Sequence, residues 1–128
     1  MTNTTHLEID NTLCGTITHQ AKETCTVTLT TTHVMKADHL GLVHGGFLFG
    51  MADYAAMCAV NDPNVVLGSA ETKFLKPVVV GDTVVAVARV EEEKGKKRKV
   101  NVHITRDGEP VFEGLFVCFV LPGHVLGS

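Results

Sequence analysis

The segment FLFGMADYAAMCAV, residues 47–60, favours helix through its Leu, Met and Ala residues and carries a single charge, Asp53. A helix with no polar face cannot lie on a protein surface with one side in water. It must be wrapped by a sheet or by a second subunit. Asn61-Asp62-Pro63-Asn64 ends it with residues that turn and cannot continue a helix.

The rest of the chain supplies the wrapping. Two Thr- and Val-rich pieces, Leu13–His19 and Thr24–His33, precede the helix and are parted by the charged break Gln20–Glu23. Four valine-rich runs follow it, Val65–Leu75, Thr83–Glu92, Arg98–Arg106 and Val111–Leu121. They read as consecutive strands of one antiparallel meander. Asp107-Gly108 is a strong hairpin signal, because a type I′ turn needs positive φ at both central residues. The order predicts an α+β domain in which a curved antiparallel sheet of five to six strands encloses one long central helix. With 128 residues and 45% apolar content there is room for one such domain, with residues 1–12, polar and Thr-rich, as a loosely packed lead-in.

Composition narrows the function. A net charge of −3 argues against wholesale binding to nucleic acid. Cys14, Cys25, Cys58 and Cys118 lie far apart in apolar or β-patterned runs, which suits reduced core thiols in a cytoplasmic protein. The first residues lack the basic and apolar regions of an export signal, and no run approaches about 18 uninterrupted apolar residues, so neither export nor membrane spanning is expected. The histidines form no H-E-x-x-H or H-x3-H pair, so no metal site is expected, and no cofactor is called for.

Asp53 is the residue that needs a reason. An ionised carboxylate buried without partners is costly or takes up a proton. It lies about two turns inside the helix, where the N-terminal dipole has faded. A functional carboxylate explains it better than a buried structural aspartate does. At the start of the same helix, Gly45-Gly46 offers unpaired backbone N–H groups that can hold a carbonyl oxygen as it becomes an oxyanion. The dipeptide alone would be no more than a turn; its spacing from Asp53 changes that.

The stretch His44-Gly45-Gly46-Phe47-Leu48-Phe49-Gly50-Met51-Ala52-Asp53 resembles the H-G-G-x6-D motif of hot-dog-fold thioesterases of the phenylacetate-pathway type. The later Phe74-Leu75-Lys76-Pro77 and Gly81-Asp82 are similar to the same family's aromatic-x-x-Pro and Gly-Asp signature. The resemblance implies hydrolysis of an acyl-coenzyme A or related thioester by a homodimer or dimer of dimers, with two active sites where two sheets meet. It implies Asp53 as general base or nucleophile, Gly45 as oxyanion donor across the interface, and His44 as an orienting group. Gly46, Phe47 and Phe74 would line the substrate site. Asp38 stands where the family commonly has asparagine; it would share the catalytic work or, slightly favoured, hold its loop.

Weaker candidates complete the set. Glu71 and Thr72, on the strand before Pro77, read as a solvated sheet face more readily than as substrate contacts. The cluster Lys96, Lys97, Arg98 would suit coenzyme A phosphates, though a charged hairpin tip commonly serves only solubility. Two rivals remain. A hot-dog hydratase or dehydratase would show D-x4-H, but Asp38 and His44 are one residue too far apart. A non-catalytic acyl-CoA sensor would resemble this helix with Asn in place of Asp53 and would need a DNA-binding domain.

Overall fold

The computed structural model describes residues 1–127. The chain runs α1 (Asn11–Cys14), β1 (Thr16–Ala21), β2 (Thr24–Thr30), a 3-10 turn (His33–Met35), α2 (Gly45–Val60), β3 (Val65–Phe74), β4 (Thr83–Lys94), β5 (Lys97–Arg106) and β6 (Glu109–Val120). All six strands join one antiparallel sheet in the order β1-β2-β4-β5-β6-β3. Its concave face holds α2, giving the expected hot-dog architecture. Register shifts with an extra residue in β1, β3, β4 and β6 supply bulges that bend the sheet around the helix.

Burial follows the pattern of the sequence. Every residue from Tyr54 to Ala59 is buried, so this part of α2 has no wet side. Inward residues of the sheet, among them Val27, Ala86, Ala88, Val102, Phe112 and Phe116, are fully buried against it. Small residues on both surfaces, Ala52, Ala55, Ala56 and Ala59 opposite Ala86 and Ala88, let helix and sheet approach closely. Asn61 ends the helix in the left-handed region (φ 54°), its N–H donating to the Met57 carbonyl at 2.8 Å. At the opposite end of the sheet Asp107 and Gly108 have φ of 51° and 78°, as the type I′ turn requires.

Three expectations are corrected. Leu13 lies in α1, not in a strand, because Asp10 accepts from the Thr12 N–H at 2.9 Å and caps a single helical turn that Gly15 stops at φ 92°. The second strand ends at Thr30: the Thr31 hydroxyl donates to the carbonyls of Val79 (2.8 Å) and Asp82 (3.1 Å), turning the chain away. The last four strands are no simple meander. β3 pairs with β6, and residues 75–82 cross over so that β4 joins β2. That order places strands on both flanks of α2, which four neighbouring hairpins on one side would not do.

Residues 2–6, within the expected loose lead-in, lie along the end of α2. Thr4 N–H and hydroxyl donate to Asn61 Oδ1 at 2.8 and 3.0 Å, and Asn61 Nδ2 donates to the Thr2 carbonyl at 3.0 Å. Gln20 Nε2 ties Asn3 Oδ1 (3.2 Å) to the Cys58 carbonyl (2.9 Å), and Thr5 is buried.

Candidate active site

The helix start is held from three sides. Val43 N–H donates to Val78 O at 2.8 Å and His44 N–H to Met35 O at 2.9 Å. His44 then turns the chain at φ −62°, ψ 129° into the first turn, where Phe47 N–H reaches the His44 carbonyl at 3.0 Å. The N–H groups of Gly45 and Gly46 belong to the turn whose donors have no intrahelical acceptors. At both glycines a side chain from elsewhere approaches the backbone closely. A Cβ on Gly45 would stand 3.0 Å from the Phe74 ring, and one on Gly46 would stand 2.9 Å from His44 Nε2. His44 therefore lies over its own helix start, edge-on to Phe47 with ring centroids 6.2 Å apart, and makes no side-chain cap. Gly45, Leu48, Phe74, Lys76 and Pro77 share one open groove of about 310 Å³. Phe74 is 53% exposed there although its ring also meets Phe112 edge-on at 5.1 Å.

Asp53 opens into a different groove, of about 400 Å³, with Thr5, His6, Met57, Leu67 and His124. Its Oδ1 is buried and accepts no hydrogen bond among the described residues. Burial pushes its carboxyl up to about 6. A group in this state is available as a base or nucleophile near neutral pH. Burial likewise raises the Cys118 thiol to about 12, so that thiol is no rival nucleophile.

Within one chain, Gly45 and Asp53 do not meet. Eight residues of helix separate them by about 12 Å along the axis and about 80° around it. Gly45 packs at the Phe74 end of β3, whereas the Asp53 groove lies at its Val65–Leu67 end. β3 is the last strand of the sheet, so its outer edge has no neighbouring strand among the described residues.

The other expected residues are placed as follows. Asp38 is exposed, and its Oδ1 accepts from Leu40 N–H (3.0 Å) and Leu42 N–H (3.2 Å), the geometry of a loop holder. Thr72 pairs with Gly114 and Phe74 with Phe112 on the face toward the helix. Glu71 and Lys73 pair with Leu115 and Glu113 on the opposite face, beside His103, away from α2. Lys96 and Lys97 sit at the same end of the sheet as Asp53, since Val120 N–H donates to Lys96 O and Val65 pairs with Val120. Arg98 is committed within the hairpin, to Glu93 at 2.9 Å and to the Gly95 carbonyl at 2.7 Å. His6 and His124 were not expected at the site. Neither carries a motif, and only folding brings them to Asp53.

A long helix in a curved antiparallel sheet, with a glycine pair at the helix start and a buried carboxylate two turns on, defines the hot-dog class. The chain belongs to the thioesterase superfamily, whose model matches residues 40–113. It is similar to an uncharacterized protein from Pyrococcus horikoshii, at 50% identity and a TM-score of 0.97, over 98% of this chain and 97% of that one. It is also similar to the PaaI protein of the Escherichia coli phenylacetic acid degradation operon, at 26% identity and a TM-score of 0.80, over 88% of this chain and 83% of that one. Among curated relatives, methylthioribose-1-phosphate isomerase of Aquifex aeolicus is 54% identical over 88% of this chain and 25% of its own length. Transcription factor FapR of Caldanaerobacter subterraneus subsp. tengcongensis is 34% identical over 62% of this chain and 40% of its own. The chain thus spans only a quarter to two fifths of these curated relatives, and the isomerase name describes a protein about three and a half times as long. Among the described residues, no helix is long and apolar enough to cross a membrane.

Proposed function

We propose that the protein hydrolyses acyl thioesters, with acyl-coenzyme A as the substrate class, at sites completed by two copies of the chain. The observation that carries this is the Asp53 carboxylate, buried with an unpartnered oxygen in an open groove. Its distance from Gly45 supports a shared site. Pairing the free β3 edges of two copies antiparallel about a two-fold axis sets the Phe74 end of one strand against the Val65 end of the other. One copy's Gly45 then approaches the other copy's Asp53.

In such a site ionised Asp53 takes a proton from water as the water oxygen attacks the thioester carbon. The carbonyl oxygen gains the negative charge and is held by the Gly45 N–H at the positive end of α2. When the tetrahedral adduct collapses, the C–S bond breaks, the thiolate leaves and the proton held by Asp53 passes to sulfur. Acid and thiol are the products. In the nucleophilic variant Asp53 attacks the carbon itself, the C–S bond breaks and the thiolate leaves, and water then hydrolyses the anhydride to release the acid and restore the carboxylate. Phe47 and Phe74 supply apolar surface near the helix start, His44 orients the thioester, and Lys96 and Lys97 attract the nucleotide phosphates.

The similarity to a transcription factor favours a second, non-catalytic reading, which for this fold would be a module that binds acyl-CoA without cleaving it. Thiol release from a panel of acyl-CoAs separates the two. The parent should release thiol and Asp53→Asn should do so roughly 10²–10⁴-fold more slowly with binding retained. Binding without release by the parent would leave the sensor reading.

A further inference from the structure

The groove that exposes Asp53 is walled partly by chain that lies outside the matched family segment. On one side is the strap of residues 2–6, and on the other is the segment after β6 that contributes His124 and Val125. The strap is built in. Its hydrogen bonds to Asn61 fix it to the left-handed cap of α2, Asn3 Nδ2 donates to the Thr5 carbonyl at 2.8 Å, and Thr5 is 4% exposed.

This anchoring holds His6 in an unusual backbone state. His6 is half-buried with φ 55°, a region that an L-residue with a bulky side chain seldom adopts. Its Nδ1 is engaged with the Thr5 hydroxyl at 2.8 Å, and its ring lies 6.4 Å from the ring of Tyr54, the residue beside Asp53 on α2. With Nδ1 engaged, Nε2 is the remaining polar atom of the ring. His124, which lines the same groove, has its own Nδ1 occupied by the Leu126 N–H at 3.0 Å. The same groove is also lined by the apolar residues Met57, Pro63, Val65 and Leu67. A groove that exposes a buried carboxylate and is lined by a ring held in place can contact the group attached to a carbon reacting at that carboxylate.

We infer that the strap of residues 2–6 selects the acyl group, with His6 as a specificity-determining residue that meets the distal part of the acyl chain beyond Asp53. The inference rests on the hydrolase reading for its substrate class and on the strap geometry for its location. His6 touches no reacting atom. Removing its ring should change which acyl groups fit while leaving the chemistry of a short one alone.

The test uses the full-length protein with His6→Gly, which removes the ring and suits positive φ, and His6→Asn, which also tolerates that region. Two readouts are taken across acyl groups from acetyl to dodecyl. One is kcat/KM by thiol release; the other is calorimetric affinity for the matching S-alkyl-CoA thioethers, which cannot be hydrolysed. The strap proposal expects the longer chains to gain about tenfold or more relative to acetyl in both variants, with acetyl hydrolysis nearly unchanged. A uniform change across all chains, or a fall in melting temperature with the acyl profile intact, would make the strap purely structural and overturn it. If the parent hydrolyses nothing while the thioether affinities still shift with chain length, the hydrolase reading fails and the strap proposal stands. If the parent neither cleaves nor binds any of them, both fall.

Discussion

Asp53 and Gly45 ride on the same helix, yet an offset of eight positions puts Asp53 about 12 Å along the axis from the glycine. A carbonyl carbon in contact with one is out of reach of the other in the same chain. The proposed hydrolysis needs both groups at one site, which association of two copies would supply, and the ten-residue free edge of β3 offers a place for it.

The protein should accordingly be a dimer or a dimer of dimers at micromolar concentration. Light scattering checks this directly. An exposed ten-residue edge and the open Phe74 ring are features that soluble proteins cover or blunt. A stable monomer with full activity would remove the shared site.

Activity should follow ionisation of Asp53. Its carboxyl is raised to about 6 by burial, and only the ionised form is a base, so kcat/KM should climb through that region and level off above it. The matching stability effect has a defined sign. Because the folded-state value lies above the ordinary carboxylate value, the native state binds more protons between about pH 4 and 6 and stability falls as pH rises through that window. The loss amounts to ~3 kcal/mol once Asp53 is fully ionised. Asp53→Asn should therefore melt higher than the parent at pH 7, with the advantage fading toward pH 4, as thermal melts across that range will read. Equal pH dependence in both proteins would mean that Asp53 is not the buried titrating group.

For the hairpin, the geometry separates Arg98 from its lysine neighbours. Arg98 is tied to Glu93 and to the turn carbonyls, so neutralising it should cost local order rather than ligand affinity. Neutralising Lys96 and Lys97 together should raise KM for acyl-CoA and flatten its salt dependence with kcat nearly unchanged. A short acyl thioester lacking the nucleotide should be indifferent. Kinetics at two ionic strengths decide the matter, and an unchanged KM would leave the hairpin a solubilising turn.

Much of the fold was legible because α2 breaks a strong rule: an apolar run with one charge has to be enclosed, and its neighbours alternate like strands. The hairpins at Gly95 and Asp107-Gly108 announce themselves through residues that accept positive φ. Strand pairing did not, since nothing in the pattern of Val65–Phe74 distinguishes β6 from β4 as its neighbour. The short helix α1 hangs on the Asp10 cap and Gly15, two residues inside an otherwise strand-like context. At the site, Asp53 and Gly45 stood out by spacing. His6 did not, because a histidine in a polar stretch gives no sign that side-chain bonds to Asn61 will carry it to the Asp53 groove.

The central claim is that one working site takes Gly45 from one copy and Asp53 from another, and subunit mixing tests it most directly. Gly45→Pro deletes the N–H at the first helical position, where proline is tolerated, and the preceding His44 already has the extended ψ of 129° that proline demands. The crowding ring of Phe74 is half exposed and can give way. Gly45→Pro and Asp53→Asn should each form homodimers of low activity. After the two are unfolded, mixed in equal amounts and refolded, half of the dimers should be mixed, each with one intact site and one doubly defective site. Thiol release should then recover to about a quarter of the parent rate. Activity that stays at the mean of the two separate variants, or a Gly45→Pro protein as active as the parent, would contradict the account.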